Sequence, residues 1–254
     1  MTLVGALGAF ALGACLGSFA NVCIDRLPRG LSPVRPRSSC EACGHLIRPV
    51  HLIPLVGYLL VRGRCASCGQ SIPLRLPLVE ALGGLLAAAS FAAFGPSWEF
   101  LSSTLLLVVA LAASVIDGKH QVIPDRLTLP GLAVGLALSL LPGRPTPVEA
   151  LLGVVVVGGL LALVALFYPA GMGGGDVKFM AMVGAFLGWT KGLLALFVAS
   201  LAGSVVGLAL IGLGRRGRKQ PIVFGPFLAI GTAVAVFAGP KLLSLYVGWR
   251  WAGH

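Results

Sequence analysis

Along most of this chain apolar residues follow one another without the alternation of a half-buried strand, and the runs are cut only by Pro, Gly and short charged clusters. Runs bounded in this way predict eight helices, at 3–24, 77–94, 100–116, 127–141, 149–168, 178–189, 192–213 and 223–247. Most have the length needed to cross a hydrocarbon core, roughly 17–25 residues, and 178–189 is the shortest. One long polar stretch interrupts them, from Asp25 to Leu76.

Composition turns these runs into spans rather than a soluble core. Of 254 residues, 57% are hydrophobic and 11% charged, far from the balance of a soluble domain. The expected fold is an all-α polytopic membrane protein with about eight transmembrane helices. The first run has no basic segment before it and no clear small-x-small cleavage site, so it reads as a retained first span.

The net charge of +11 then reports orientation. With the polar loop on the cytoplasmic side, fifteen of the nineteen Lys and Arg share that side, leaving Arg144, Lys191, Lys241 and Arg250 on the other. Both chain ends then face away from the cytoplasm. The run 215-RRGRK-219 is a headgroup anchor in a short loop, and the arginines of the polar loop attract anionic lipid, so membrane lipid is the expected partner and nucleic acid is not.

In this arrangement Asp117, Asp125 and Asp176 all fall at cytoplasmic helix ends. Asp125 follows Pro124 and reads as an N-cap of the fourth helix. Asp117 closes the third span, where the helix dipole disfavours negative charge, so it is either used chemically or solvated beside Lys119 or His120. Asp176 stands behind the glycines of 171-GMGGGD-176, which allow positive φ and close approach of another chain. Two carboxyls brought together cannot both ionise easily, so one keeps a proton while the other activates water, as in an aspartic-protease dyad.

The polar loop carries 40-CEAC-43 and 65-CASC-68, a spacing that suits a ribbon-type zinc site. Cys40, Cys43, Cys65 and Cys68 would close the metal shell, making the zinc structural. Two disulfides or free thiols are the other readings. His45 and His51 share the loop but are not needed as ligands, and Cys15 and Cys23 read as packing residues in the first span.

These motifs together resemble the type IV prepilin peptidase family of membrane aspartic proteases. The resemblance rests on 17-GSFANVCIDRLPRG-30, 59-LLVRGRCASCGQSIPLRLPLVEAL-82, 116-IDGKHQVIPDRLTLPGL-132, 171-GMGGGDVKFMAMVGAFLGW-189 and 223-VFGPFLAIG-231. It implies Asp117 and Asp176 as catalytic, with Gly173 and Gly175 as the glycines of the GxGD motif. Asp125 becomes supporting, with Asp125 and Asp176 as the other possible pair. Lys178 matches a family position and also suits a cytoplasmic anchor. The glycines would leave room for an extended substrate backbone.

The family implies cleavage of leader peptides from type IV prepilins or pseudopilins at the cytoplasmic face of the bacterial inner membrane. It also implies S-adenosylmethionine-dependent N-methylation of the product. Glu80 in 77-PLVEA-81 matches a family position, and an acid just inside a span is a functional candidate. His51 and Leu52 depart from the family pattern, which leaves a peptidase without methyltransferase activity as the alternative. Residues 1–95, with the zinc loop at 26–75, would form the methyltransferase part and 96–254 a six-span peptidase part. The rivals from other classes are an ion- or proton-coupled transporter using the boundary aspartates, and a zinc-stapled scaffold without chemistry.

Overall fold

A computed structural model describes residues 2–168, 172–214 and 223–252, the last seven as backbone alone. Gly171, the basic run at 215–219 and the Arg250 side chain lie outside the described residues. Where apolar sequence is continuous the backbone is helical, since inside a bilayer every N–H and C=O must find its partner within the segment.

Helices α1 (Leu3–Arg26) and α3 (Arg75–Phe94) flank the polar loop, in which α2 (Val56–Leu60) is a single short turn; α4 (Trp98–His120) follows. Then come α5 (Asp125–Leu138) and α6 (Pro147–Gly153), and a π-helical turn at Val154–Gly158 leads into α7 (Gly159–Phe167). The chain ends with α8 (Gly174–Gly212), α9 (Gly225–Phe237) and α10 (Gly239–Ala252). Five helices, with Pro147–Phe167 taken as one, are long and apolar enough to cross a membrane, and a sixth joins them if the pair bent by 74° around Ala238 counts as one span.

The eight predicted helices are present with three changes. The runs 178–189 and 192–213 join in α8, whose 39 residues reach about 58 Å at 1.5 Å per residue. That length is broken at Gly188, where φ 76° and ψ 176° leave the helical region. Arg144 Nη2 donates to the Phe186 carbonyl at 2.7 Å, giving a partner to a group that the break would orphan. The run 127–141 becomes α5, with 14 residues, or about 21 Å, which is short of a hydrocarbon core. The run 223–247 is divided between α9 and α10.

The chain forms two compact units, Met1–Ala112 and Ala113–His254. In the first, α1 packs on α3 through bare backbone: a Cβ on Gly13 would collide with the Gly83 carbonyl, and one on Gly83 would lie 2.6 Å from the Gly13 carbonyl. Lipid tails are as apolar as leucine, so close approach of small residues, rather than hydrophobic burial, holds such helices together. Phe91 and Phe100 meet edge to face at 5.5 Å beyond the same interface. Cys23 is buried there, while Cys15 is exposed.

In the second unit α8 is the central element, packed by α5, α6, the π-helical turn and α9. Gly153 and Gly184 touch backbone to backbone, and Gly158 admits Ala181, as their small size predicts. Gly159 meets nothing. This packing sets the first turn of α8 beside the loop that precedes α5.

Candidate active site and metal centre

Asp117 stands on the last turn of α4 and is only 7% exposed. Its Oδ2 accepts the Gly225 N–H at 2.7 Å, so it is not the solvated partner of Lys119 or His120. The donor is the first N–H of α9, one of the groups a helix start leaves without an internal partner. A Cβ on Gly225 would lie 2.7 Å from the Asp117 Cβ and 2.8 Å from Oδ2, so this approach is open to glycine alone.

Asp176 is the third residue of α8 and is 9% exposed. It accepts the Gly173 N–H at 3.3 Å through Oδ2. The Asp117 and Asp176 carboxyls are close enough to interact electrostatically. The structure therefore brings these two acids together, each tethered by a backbone donor.

The glycines differ in purpose. A Cβ on Gly175 would lie 2.8 Å from the Ile123 carbonyl, so the space beside it is filled by this chain and not left for a substrate. Gly174 meets nothing within 4 Å. Gly173 has room for a Cβ, its nearest neighbour being Asp176 Oδ2 at 3.5 Å, and its contribution is the N–H.

Asp125 is not the N-cap that its position suggested. Pro124 occupies the cap, no side chain bonds there, and Asp125 begins α5. Its Oδ2 instead receives Lys178 Nζ at 2.6 Å, in a half-exposed pair that joins α5 to α8. The Gly175–Ile123 contact explains the geometry, since it lays the segment before α5 against the first turn of α8. The residue that sequence reasoning left without a role is Gly225; its signal was a glycine directly before Pro226 at a helix start.

The four loop cysteines are assembled. Their sulfurs all lie within 4.8 Å of one another, with Cys40 Sγ and Cys68 Sγ 3.9 Å apart. Four thiolates at about 2.3 Å from one tetrahedral ion would stand about 3.8 Å apart, so the set fits a metal. Two matching turns build it. Cys40 N–H bonds His45 O and Gly44 N–H bonds Cys40 O, just as Cys65 N–H bonds Gln70 O and Gly69 N–H bonds Cys65 O. Gly44 and Gly69 take positive φ, 69° and 74°, and the bridges Ser39–Leu46 and Arg64–Ser71 close each turn.

The N–H groups of Cys68 and Ser67 draw the Cys65 pKa down to about 6. At Cys68 the Gln70 N–H favours the thiolate, but Cys43 and the other crowded thiols outweigh it and push the pKa up to about 11. A cation among the four sulfurs would favour the thiolate form of all of them.

Glu80, five residues into α3, is 9% exposed and accepts the Leu55 N–H at 2.7 Å. Leu55 has φ 62° and ψ −49°, and Val56 N–H bonds Pro54 O at 2.6 Å across it, which makes a strained three-residue turn. His51 and Leu52 lie in the 3₁₀ turn Pro49–Leu52 just before it.

A polytopic helical membrane protein with a buried aspartate pair and a four-cysteine loop is the class that fold and site define. The Bacterial Peptidase A24 N-terminal domain matches residues 11–94, and the Type IV leader peptidase family matches residues 104–208. A prepilin leader peptidase/N-methyltransferase of Pseudomonas aeruginosa is 37% identical over 93% of this chain and 91% of its own length. One from Aeromonas hydrophila is 35% identical over 94% and 92%, and one from Myxococcus xanthus is 40% identical over 83% and 64%. No solved structure matches. The chain belongs to the type IV leader peptidase family and is an enzyme of the peptidase class. That membership lends nothing to the transporter reading.

Proposed function

We propose that this protein is an aspartic endopeptidase that removes the leader peptide from type IV prepilins or pseudopilins at the cytoplasmic face of the bacterial inner membrane. The observation that carries this reading is the buried pair of Asp117 and Asp176, each held by one backbone N–H. One carboxyl acts as general base on a water that attacks the scissile carbonyl. The other, protonated, polarises that carbonyl and then helps the amine leave. The pair titrates as a unit, and no covalent enzyme intermediate forms. Asp125 and Lys178 brace the first turn of α8, which carries Asp176.

The same reading extends to N-methylation of the new N-terminal residue with S-adenosylmethionine as donor. It is supported by the names of the relatives and by the loop turn at Leu55 that docks on Glu80 of α3. Cys40, Cys43, Cys65 and Cys68 would hold a structural zinc ion, which closes the loop and leaves no open ligand position. Residues 1–95 would serve methylation and 96–254 proteolysis.

The test is cleavage of a prepilin in proteoliposomes by wild type, Asp117→Asn, Asp125→Asn and Asp176→Asn, with the product N-terminus weighed after S-adenosylmethionine is supplied. Loss of cutting by about a thousandfold or more in Asp117→Asn and Asp176→Asn alone is expected. Equal cutting by all four proteins would sink the assignment. A methyl increment on the product decides the second activity.

A further inference from the structure

The loop-side ends of α1 and α3 hold polar atoms that proteolysis does not use. Asn21 is 5% exposed and its Nδ2 donates to the Leu76 carbonyl at 3.0 Å, which leaves Oδ1 buried without a partner. Turning the amide over would set oxygen against oxygen, so the free atom is an acceptor. Leu76 stands one helical turn before Glu80, and helical side chains lean toward the helix N-terminus, so the Glu80 carboxylate inclines toward that same turn.

The backbone approach there is tight. A Cβ on Gly17 would lie 2.7 Å from the Val79 carbonyl and 3.0 Å from the Glu80 Cα, which presses α1 onto α3 where the acid emerges. The strained turn at Leu55 holds Glu80 Oε2, and no cation pairs with this acid among the described residues. Next to them Arg75 gives Nη2 to both oxygens of Asp25, at 2.7 and 2.8 Å, and keeps Nη1 buried without a partner.

The cluster thus offers one acceptor lacking a donor, Asn21 Oδ1, and one donor lacking an acceptor, Arg75 Nη1, beside a carboxylate inside a span whose hydrogen-bond partner is the neutral Leu55 N–H. A water molecule would satisfy Asn21 and Arg75 but leave the Glu80 charge unbalanced. A primary ammonium supplies N–H donors to Asn21 and Glu80 and cancels that charge. A carboxylate or carbonyl oxygen, one carbon beyond the α-carbon that bears the ammonium, would accept from Arg75.

Resting on the methyltransferase reading above, we propose that Asn21, Glu80 and Arg75 bind the α-ammonium of an amino-acid headgroup together with its adjoining carboxylate or carbonyl oxygen. Two participants in N-methylation carry that chemistry: the methionyl end of S-adenosylmethionine, and the N-terminus freed by cleavage. The Leu55 turn fixes one Glu80 oxygen in advance, so the other is oriented before the ligand arrives.

The experiment reads binding rather than turnover, on the full-length zinc-loaded protein in nanodiscs. Equilibrium dialysis with labelled S-adenosylmethionine forms one arm, and a peptide beginning with a free-amine phenylalanine, beside its N-acetylated form, the other. Glu80→Gln keeps an acceptor for Leu55 and removes the charge. Asn21→Ala leaves the Leu55 hydrogen bond untouched and decides the matter if hydrogen exchange shows the turn loosened in Glu80→Gln.

Weakening by about tenfold or more is expected for one ligand. Loss confined to S-adenosylmethionine assigns the site to the methyl donor, and loss confined to the free-amine peptide assigns it to the product. If wild type methylates its product while both variants bind both ligands normally, the polar atoms hold only water and the site is overturned. A wild type that neither binds S-adenosylmethionine nor methylates removes the underlying reading as well.

Discussion

Gly225 donates its N–H to Asp117 Oδ2 at 2.7 Å, though 108 positions separate the two residues. The bond satisfies an orphan donor at the start of α9 and holds the carboxyl near the positive end of that helix. Glycine is required because the Asp117 side chain occupies the place of a Cβ. Gly175 does the same for the other acid's turn, admitting the backbone of Ile123.

Gly225→Ala and Gly175→Ala should each lower prepilin cleavage by about a hundredfold, the scale of a displacement near 1 Å at a reacting group. Gly174→Ala, where nothing lies within 4 Å, should cut at nearly the wild-type rate. Initial rates on one prepilin, with helicity measured by circular dichroism, check all three. Equal rates for the three variants would show that the approach to Asp117 is not needed.

The Lys178–Asp125 pair is half exposed, and such pairs contribute about 0.2–1 kcal/mol to stability. Asp125→Asn should therefore leave the melting temperature almost unchanged. Cleavage should fall only a few-fold, and the exchanged pair Asp125→Lys with Lys178→Asp should recover part of it. A loss as large as that of Asp176→Asn would make Asp125 a catalytic acid.

Gly188 has φ 76° and ψ 176°, a conformation that is almost confined to glycine. Gly188→Ala should destabilise the second unit by about 1–3 kcal/mol. Arg144→Ala, which deprives the Phe186 carbonyl of its donor, should cost about the same. Thermal unfolding in detergent, followed at matched protein concentration, measures both.

Removing metal with a strong chelator should release one zinc ion per chain and make the 39–71 segment sensitive to protease. Prepilin cutting should change little, because the four cysteines close their metal shell and leave no ligand position for substrate. Cys40→Ser should behave like the chelated protein. Metal content, limited proteolysis and cleavage rate, read on one sample, separate these effects.

The helices and the four-cysteine cluster were legible in the sequence because each follows from local rules: continuous apolar runs and the Cys-x-x-C spacing. The break in α8 was legible only as a gap between two runs, since the φ of Gly188 depends on what packs around it. Asp125 was misjudged as a cap for a similar reason. Its position beside Pro124 fits a helix start, but Lys178, 53 positions away, offers a charged partner that local reading does not see.

By itself, the amino-acid order determined that this is a polytopic helical membrane protein, which residues could bind a metal, and which acids stand at helix ends. Those properties follow from hydropathy, residue chemistry and short spacings. The tertiary structure alone decided that Asp117 meets the Gly225 N–H, that Gly175 is filled by Ile123, and that Glu80 clamps the Leu55 turn. Each of these joins residues far apart in sequence through backbone groups, which every residue carries alike. Only helix packing selects which of them come within hydrogen-bond reach.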